Sequence, residues 1–404
     1  MSAVSLSPVR STPEFDLLCL VARPRRDLDR VAAILRNNLN WSLLLNLAAA
    51  HGIRPQLVHT LRKLDWLGTP REVKHSLLDF LRSHNARSLF IASQLVEVTE
   101  LLSHGAIRFA TFKGPSLAAA IYGDLSLREC NDIDIIVDEH QVPEAETVLA
   151  SVGYKPAHGS PEFRAAFLSY QKQFMLVRED SMLAIDLHWD FTWTHVPFPL
   201  RPSEIWSNLE AVEIGGRAVP TLGRNDLALF LAGHGTKEGW KCLGWVCDFA
   251  MLIEKYPDLD WNQILGRAQQ RGCGRSLLLG ARLAAELLGI QVKGNLLKLA
   301  ENANESRLAA EAILRRMRNE APVPSSERFL GDLYLCETHA QKGRVMARTL
   351  MTRTVGDYLS MPLPRYLWPL YRVTRPFRLI GKVLTSFVRP SSSHTSKKLP
   401  SSLP

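Results

Sequence analysis

The run DIDIIV at residues 132–137 sets two carboxylates, Asp132 and Asp134, inside a sequence that otherwise has the character of a buried strand. In a strand, side chains two residues apart point to the same face. The two carboxylates therefore project side by side, while Ile133 and Ile135 face the core. Neighbouring carboxylates repel each other unless a cation or a proton intervenes. Because Mg²⁺ binds one or two carboxylates together with substrate phosphates, the pair predicts a divalent metal site.

A third acid on a neighbouring strand would complete a site for two metal ions. Asp186 in the apolar stretch LAIDLHWD is the candidate, and Asp190 on the same face is the reserve choice. His188 shares that face and is predicted to touch substrate or a metal-bound water, with a structural, hydrogen-bonded histidine as the alternative. A D-x-D pair is more commonly a solvated strand edge. The apolar residues that continue the strand favour the metal site here.

A turn that could hold phosphate precedes the two acids. The segment AIRFATFKG predicts a strand that ends at Gly114, and PSLAAAIY predicts a short helix that begins at Pro115. Backbone N–H groups at a helix N-terminus bind anions. The KGPS turn therefore predicts a site for the triphosphate of a nucleotide.

The elements around these residues predict an α+β fold, a mixed β-sheet core flanked by helical regions. Apolar residues recur every three or four positions over residues 28–103 and again over about 225–354, which predicts helices. Between them lie strand-like runs, and Gly215-Gly216 joins two of them in a predicted hairpin. The predicted parts are a flexible N-terminus at 1–25, a helical region at 26–104, the catalytic core at 105–222, a C-terminal helical domain at 223–356 and a basic aromatic tail at 357–404 whose end is disordered.

The positive charge of the chain is concentrated at one end. The chain has 404 residues, 46% of them hydrophobic, and a net charge of +9. From Tyr358 onward there are eight Lys or Arg residues and no Asp or Glu, so the preceding residues are close to neutral. This distribution gives no strong nucleic-acid signal. It predicts that the tail contacts a membrane surface or a partner protein, or that its aromatic residues dock on the globular body.

The sequence contains no apolar run of about 18 residues that would predict a transmembrane helix. We also expect no secretory signal. Its six cysteines are scattered without a CxxC pair, which argues against both a zinc site and a disulfide framework. We therefore expect a cytoplasmic protein, with peripheral membrane contact as an option for the tail.

Several stretches resemble the uncharacterised bacterial nucleotidyltransferase family, which belongs to the same fold superfamily as polymerase beta and the aminoglycoside nucleotidyltransferases. The resemblance covers about residues 15–370. It is carried by FKGPSLAAAIYGDLSLRECNDIDIIV, VLASVGY, AIDLHWDF, WSLLLNLAAAHGIRPQL and LFLAGHGTKEGWKCLGWVCDFAML.

The resemblance implies a role for each candidate residue. Asp132 and Asp134 would be the paired metal ligands, and Asp186 would be the third carboxylate, which aligns or activates the attacking group. Further candidates follow from matched positions: Lys113, Gly114, Ser116 and Arg128 for the nucleotide, and His188, His234, Lys237 and Asp248 for substrate. The alternative for Arg128 is a surface salt bridge. The helix that carries Asp248 is otherwise predicted to be a packing helix, and Trp240 and Trp245 are predicted to lie in the core rather than to stack on a base.

The predicted activity is metal-dependent transfer of a nucleoside monophosphate from an NTP, with ATP as the first choice, to a hydroxyl-bearing acceptor. Two Mg²⁺ ions, or Mn²⁺ in their place, would be the cofactors. A nucleotide-binding pseudoenzyme and a phosphoryl transferase on the same fold are the main alternatives. Antibiotic, sugar, peptide, protein and nucleic-acid acceptors are all compatible with the sequence.

Overall fold

Seven strands form one mixed β-sheet in the computed structural model, which describes residues 11–157, 161–180, 183–193, 196–292, 295–319, 333 and 336–388. The spatial order is β3-β4-β5-β2-β1-β7-β6. The strands are β1 Phe109–Thr111, β2 Asp132–Val137, β3 Lys155–Pro156, β4 Gln173–Arg178, β5 Leu183–His188, β6 Glu210–Ile214 and β7 Arg217–Thr221.

Strand β2 lies at the centre of the sheet and carries the first two acids. It pairs in parallel with β5 and antiparallel with β1. Ile133 and Ile135 are fully buried in a hydrophobic cluster on one face, while Ile136 belongs to a separate cluster on the other. The predicted alternation is confirmed, because Asp132 and Asp134 share the face of Ile136.

Most of the predicted strands and turns are confirmed. Strands β6 and β7 form the predicted hairpin with Gly215-Gly216 between them. Asp138 caps a 3₁₀ turn by accepting a hydrogen bond from the His140 N–H at 3.1 Å. The strand before the phosphate turn ends at Thr111 rather than at the predicted Gly114.

The helices flank this sheet, and the predicted α+β class is confirmed. The N-terminal helices are α1 Pro13–Val21, α2 Leu28–Leu35, α3 Trp41–Ala50, α4 Arg54–Lys63 and α5 Arg71–His104. Those within the core are α6 Gly114–Leu117, which continues as a π-helical turn at Ala118–Tyr122, α7 Val142–Ala150, α8 Pro161–Tyr170 and α9 Pro202–Ile205. The remaining helices are α10 Arg224–Lys237, α11 Leu243–Lys255, α12 Trp261–Gln270, α13 Gly274–Leu288, α14 Leu296–Asn302, α15 Asn304–Asn319, α16 His339–Met351, α17 Val355–Ser360 and α18 Tyr371–Val388.

The prediction of a flexible N-terminus is wrong for residues 13–21, which form helix α1. Thr12 caps the helix by accepting from the Phe15 N–H at 3.2 Å. Phe15, Leu17 and Leu18 are almost completely buried in the main hydrophobic cluster. The flanking prolines suggested a loose segment, but burial of the apolar face stabilises the helix. Residues 1–10 lie outside the described part of the chain.

The N-terminal and C-terminal helices share one hydrophobic core. Leu44 and Leu57 belong to the same cluster as Phe230 and Trp240, so the prediction of a core role for Trp240 is confirmed. His51 links the two groups, since its Nδ1 accepts from the Leu243 N–H at 3.2 Å. The helices that precede the strands in the chain thus pack against the helices that follow them. This packing holds α10 and α11 near the sheet.

The C-terminal tail does not begin as a separate segment at residue 357, because the predicted boundary falls inside α17. Its aromatic residues divide into two groups. Trp368 and Tyr371 are buried against Tyr170 of α8, whereas Tyr366 and Phe377 are exposed. The predicted disordered end, at residues 391–404, lies outside the described part of the chain. Within that part, no helix is both long enough and apolar enough to cross a bilayer.

Candidate active site

Three acids and a lysine meet on one face of β2 and β5. The parallel register sets Asp134 directly opposite Asp186. Asp134 Oδ1 accepts hydrogen bonds from Lys113 Nζ at 3.0 Å and from His188 Nε2 at 3.2 Å. One ligand atom each from Asp134, Asp186 and His188 lies within 4.8 Å of the others. The predicted ligand Asp132 is not part of this group, but its charge acts on Asp186. We call Asp132, Asp134 and Asp186 the acidic cluster.

Asp134 is the most buried member of the acidic cluster, with 4% of its surface exposed. Burial alone would raise the pKa of Asp134, but the charge of Lys113 and the hydrogen bond from His188 together hold that pKa below its usual range. Burial also lowers the pKa of His188, although the contact with Asp134 opposes this. Because an ionised carboxylate only accepts hydrogen bonds, Nε2 of a neutral His188 carries the proton.

The other two acids lack comparable compensation. Burial, followed by the charge of Asp134, raises the pKa of Asp132, while Lys113 opposes the rise. Burial, followed by the charges of Asp134 and Asp132, raises the pKa of Asp186 to about 6. A divalent cation would relieve this repulsion. Carboxylate oxygens are the ligands that Mg²⁺ and Mn²⁺ prefer, so the acidic cluster fits such an ion.

The turn that carries Lys113 lies against the backbone of β2. Gly114 has φ +57°, a left-handed conformation that favours glycine. A Cβ at Gly114 would lie 3.2 Å from the carbonyl oxygen of Asp132. Ser116 is fully buried, and its hydroxyl has no hydrogen-bond partner within the described residues. The tight turn therefore sets the position of Lys113 relative to the acids.

Two further predicted residues, His234 and Lys237 of α10, lie on the side of the helix that faces the acidic cluster. Burial, followed by the charges of Lys113 and Lys237, lowers the pKa of His234 well below its usual range. The His234 ring stacks on Phe230, with 5.6 Å between ring centroids. Lys237 Nζ donates to the carbonyl oxygen of Phe191 at 3.4 Å. Burial lowers the pKa of Lys237; Glu238 opposes this, and Lys113 lowers it further.

The structure brings Arg128 and Asp248 together across 120 positions of sequence. Arg128 Nε and Nη2 each donate to the Asp248 carboxylate at 3.1 Å. The Tyr122 hydroxyl donates to the same carboxylate at 2.7 Å. Both charged side chains are mostly buried. The Asp248 carboxylate is therefore already hydrogen-bonded to Arg128 and Tyr122. We call Arg128, Tyr122 and Asp248 the arginine cluster.

Sequence reasoning did not identify Tyr122 or Phe112. Tyr122 ends a small apolar helix and has the sequence character of a packing residue, and its partner Asp248 lies on the distant helix α11. The Phe112 ring contacts the His188 ring edge-on at 5.0 Å and lies 5.3 Å from Lys113 Nζ. No spacing rule predicts either contact, because both depend on how the helices pack against the sheet.

A family model described as "Uncharacterised nucleotidyltransferase" matches residues 37–289, a range that includes every candidate site residue. No curated protein matches the chain.

Proposed function

Because the chain belongs to the uncharacterised nucleotidyltransferase family, we propose that it transfers a nucleoside monophosphate from an NTP to a hydroxyl-bearing acceptor. ATP is the donor we expect first. The acceptor oxygen bonds to the α-phosphorus as the bond to the β-phosphate oxygen breaks, and pyrophosphate leaves. The observation that carries this proposal is the acidic cluster, in which the buried Asp134 pairs with Lys113 and two half-buried carboxylates raise the negative charge further.

Each residue of the site then has a defined task. Asp132, Asp134 and Asp186 would hold two Mg²⁺ ions, or Mn²⁺ in their place. When bound, these ions would lower the pKa of the attacking hydroxyl and neutralise charge on the triphosphate. Asp186 would orient or deprotonate the attacking hydroxyl. His188 fixes the orientation of the Asp134 carboxylate through their hydrogen bond.

The positively charged residues around the acidic cluster suit a polyphosphate. Lys113 contacts Asp134 in the acidic cluster. Lys237 is near Lys113, because burial lowers the pKa of Lys237 and the charge of Lys113 lowers it further. We propose that both bind phosphate oxygens of the nucleotide, together with the Gly114–Ser116 turn. Arg128 acts on this region through its charge, which opposes the rise in the pKa of Asp132, and Asp248 holds it there. His234 would contact the nucleotide or the acceptor.

A labelling experiment tests the proposal. Purified protein is incubated with Mg²⁺, host extract and ATP labelled on either the α- or the γ-phosphate. We expect label from the α-phosphate to reach an acceptor and the γ-label to leave as pyrophosphate. The Asp132→Ala/Asp134→Ala variant should transfer nothing, whereas Asp138→Ala, which removes an acid just past the end of β2 and outside the acidic cluster, should retain transfer.

The alternatives give different results in the same experiment. Transfer of γ-label would identify a phosphoryl transferase, and Mg²⁺-dependent ATP binding without transfer would identify a pseudoenzyme. Equal labelling by the double alanine variant would contradict the proposal. We further propose a cytoplasmic location, which the scattered cysteines without a CxxC pair support, and a peripheral membrane contact of the C-terminal region.

A further inference from the structure

Helix α18 packs on the protein through its polar side. Arg375 is almost completely buried; its Nε donates to the Thr349 carbonyl oxygen of α16 at 2.7 Å, and its Nη1 donates to Asp357 Oδ2 at 2.8 Å. Arg378 Nε donates to Asp357 Oδ1 at 2.8 Å. Although burial opposes it, the hydrogen bonds from Thr354 and the charge of Arg375 lower the pKa of Asp357. Two arginines and a carboxylate thus fix the inward face of the helix.

The outward face of α18 is apolar. Val373, Phe377 and Ile380 recur at four- and three-residue spacing, which aligns them on one side of the helix. Phe377 is 71% exposed and Val373 62% exposed. Leu370 and Tyr366, in the preceding 3₁₀ turn, are exposed as well. We call these five residues the apolar stripe.

Exposed apolar side chains are concentrated in this part of the molecule. Of the fifteen large hydrophobic residues that are exposed in the described part of the chain, ten lie between Met346 and Ile380. Scattered exposed apolar residues are normal, but a concentration of them marks an interaction surface. Polar contacts within the protein hold α18 in an orientation that keeps the apolar stripe exposed to solvent.

The charges around the apolar stripe are positive. Arg365 and Arg372 are exposed next to it, and the neighbouring helix α16 adds the exposed Arg344 and Arg348. None of these four arginines pairs with a carboxylate within the described residues. From residue 338 to the end the sequence has twelve Lys or Arg residues and one acid, Asp357, which Arg375 and Arg378 already neutralise.

We propose that the apolar stripe docks on a bilayer surface that contains acidic phospholipids. Apolar side chains of such a surface helix enter the boundary between headgroups and acyl chains, while neighbouring arginines bind the anionic headgroups. A second copy of the chain fits less well, because a symmetric contact would bring the same arginines face to face. Residues 389–404 are also a poor candidate for covering the apolar stripe, since they would bring three more cations and no acid to the arginines beside it. This inference is independent of the proposed transfer reaction.

Co-sedimentation of the full chain with vesicles tests the docking. We expect binding to vesicles of phosphatidylcholine mixed with phosphatidylserine to be at least about tenfold stronger than to phosphatidylcholine alone. Phe377→Glu should weaken binding to the mixed vesicles about tenfold or more. Its matched control is Leu89→Glu, because Leu89 is a similarly exposed apolar residue on α5; this variant should bind as the native chain does.

Removing charge tests the second half of the proposal. Arg365→Gln/Arg372→Gln should reduce the preference for phosphatidylserine, while Arg71→Gln on α5 should leave it intact. Absence of binding to the mixed vesicles, or equal binding by the Phe377→Glu variant, would overturn the docking. A native dimer that Phe377→Glu converts to a monomer would also overturn it, in favour of self-association. A lower melting temperature of the Phe377→Glu variant in the absence of vesicles would overturn it too. Such a loss would mean that other parts of the chain already cover the apolar stripe.

Discussion

The acidic cluster and the arginine cluster each contain a carboxylate that is only 4% exposed, yet they balance its charge differently. Asp248 accepts three hydrogen bonds from Arg128 and one from Tyr122, so its charge is matched by a single cation. Asp134 has one lysine and a neutral histidine for partners, and two more carboxylates lie beside it.

That difference separates a contact that serves the fold from one that serves chemistry. A buried ion pair with all hydrogen bonds made is compatible with folding alone. A surplus of buried carboxylates raises the free energy of the native state, because like charges repel in a medium of low dielectric. Such a surplus persists where function requires it. We therefore propose that the acidic cluster serves catalysis and that the arginine cluster supports the fold.

The largest effect should come from Asp186→Asn, which removes one of the surplus charges. We expect nucleotidyl transfer to fall about a thousandfold, equivalent to about 4 kcal/mol of transition-state stabilisation. In the absence of divalent ions, the free energy of unfolding should stay equal or rise, since repulsion with Asp134 and Asp132 is relieved. Label transfer and urea unfolding measure the two quantities. A variant that is both active and destabilised would reverse the assignment.

The arginine cluster should behave in the opposite way. Asp248→Asn leaves Arg128 buried without a counter-charge, which should lower the free energy of unfolding by about 3 kcal/mol. Replacing both partners, as Arg128→Met/Asp248→Leu, should cost less than the single change because no unpaired charge remains. Urea unfolding of the three proteins measures this.

The comparison between the clusters would fail if Asp248→Asn abolished transfer while leaving the unfolding curve unchanged. Asp248 would then act directly on substrate or metal. This outcome is distinguishable from a folding defect because the variant would retain the native melting temperature.

The sequence predicted the individual strands of the site better than their assembly. The strict alternation in DIDIIV requires Asp132 and Asp134 to share a face, and the isolated acid in LAIDLH marks Asp186 in the same way. That β2 and β5 are parallel neighbours, with Asp134 opposite Asp186, depends on sheet order. Strand order is set by packing over the whole domain, which no local pattern records.

The features that the sequence did not predict are long-range pairs and buried apolar segments. Arg128 and Asp248 each have a pattern typical of a charged surface residue, and only the approach of α11 to the sheet makes them partners. Helix α1 was predicted to be loose because prolines flank it, whereas its stability comes from burial of Phe15 and Leu18 against the other helices. Both features are tertiary and invisible to periodicity.

The pH dependence of stability should also distinguish the two clusters. The pKa of Asp186 in the folded protein is raised from 3.8 to about 6. Its destabilising effect is thus absent below 3.8, grows as the pH rises between these values, and is complete above about 6. Lowering the pH from about 7 to about 5 without divalent ions should stabilise the native protein by about 1 kcal/mol relative to Asp186→Asn.

Thermal melting of the two proteins across this range measures the difference. Saturating Mg²⁺ should reduce it, because a bound cation holds Asp186 ionised. Arg128→Met/Asp248→Leu should keep the stabilisation that depends on Asp186, because the charges that act on Asp186 are those of Asp134, Asp132 and Lys113. An identical pH profile for native protein and Asp186→Asn would mean that the acids do not repel each other in solution.

The smallest predicted effect concerns the turn that joins β1 to the acidic cluster. Gly114 and Gly123 both have a positive φ, of +57° and +70°, so alanine at either position is strained by about 1 kcal/mol. The two differ in what a Cβ would meet. At Gly114 it would lie 3.2 Å from the carbonyl oxygen of Asp132, whereas at Gly123 nothing lies within 4 Å.

Gly114→Ala and Gly123→Ala should therefore lose similar stability but differ in activity. The added methyl at position 114 must push the turn away from β2, which moves Lys113 relative to Asp134 and should slow transfer by a few-fold, equivalent to less than about 1 kcal/mol. Gly123→Ala should transfer at the native rate once the fraction folded is taken into account. Equal rates for the two variants would mean that the distance between the turn and β2 does not control the reaction.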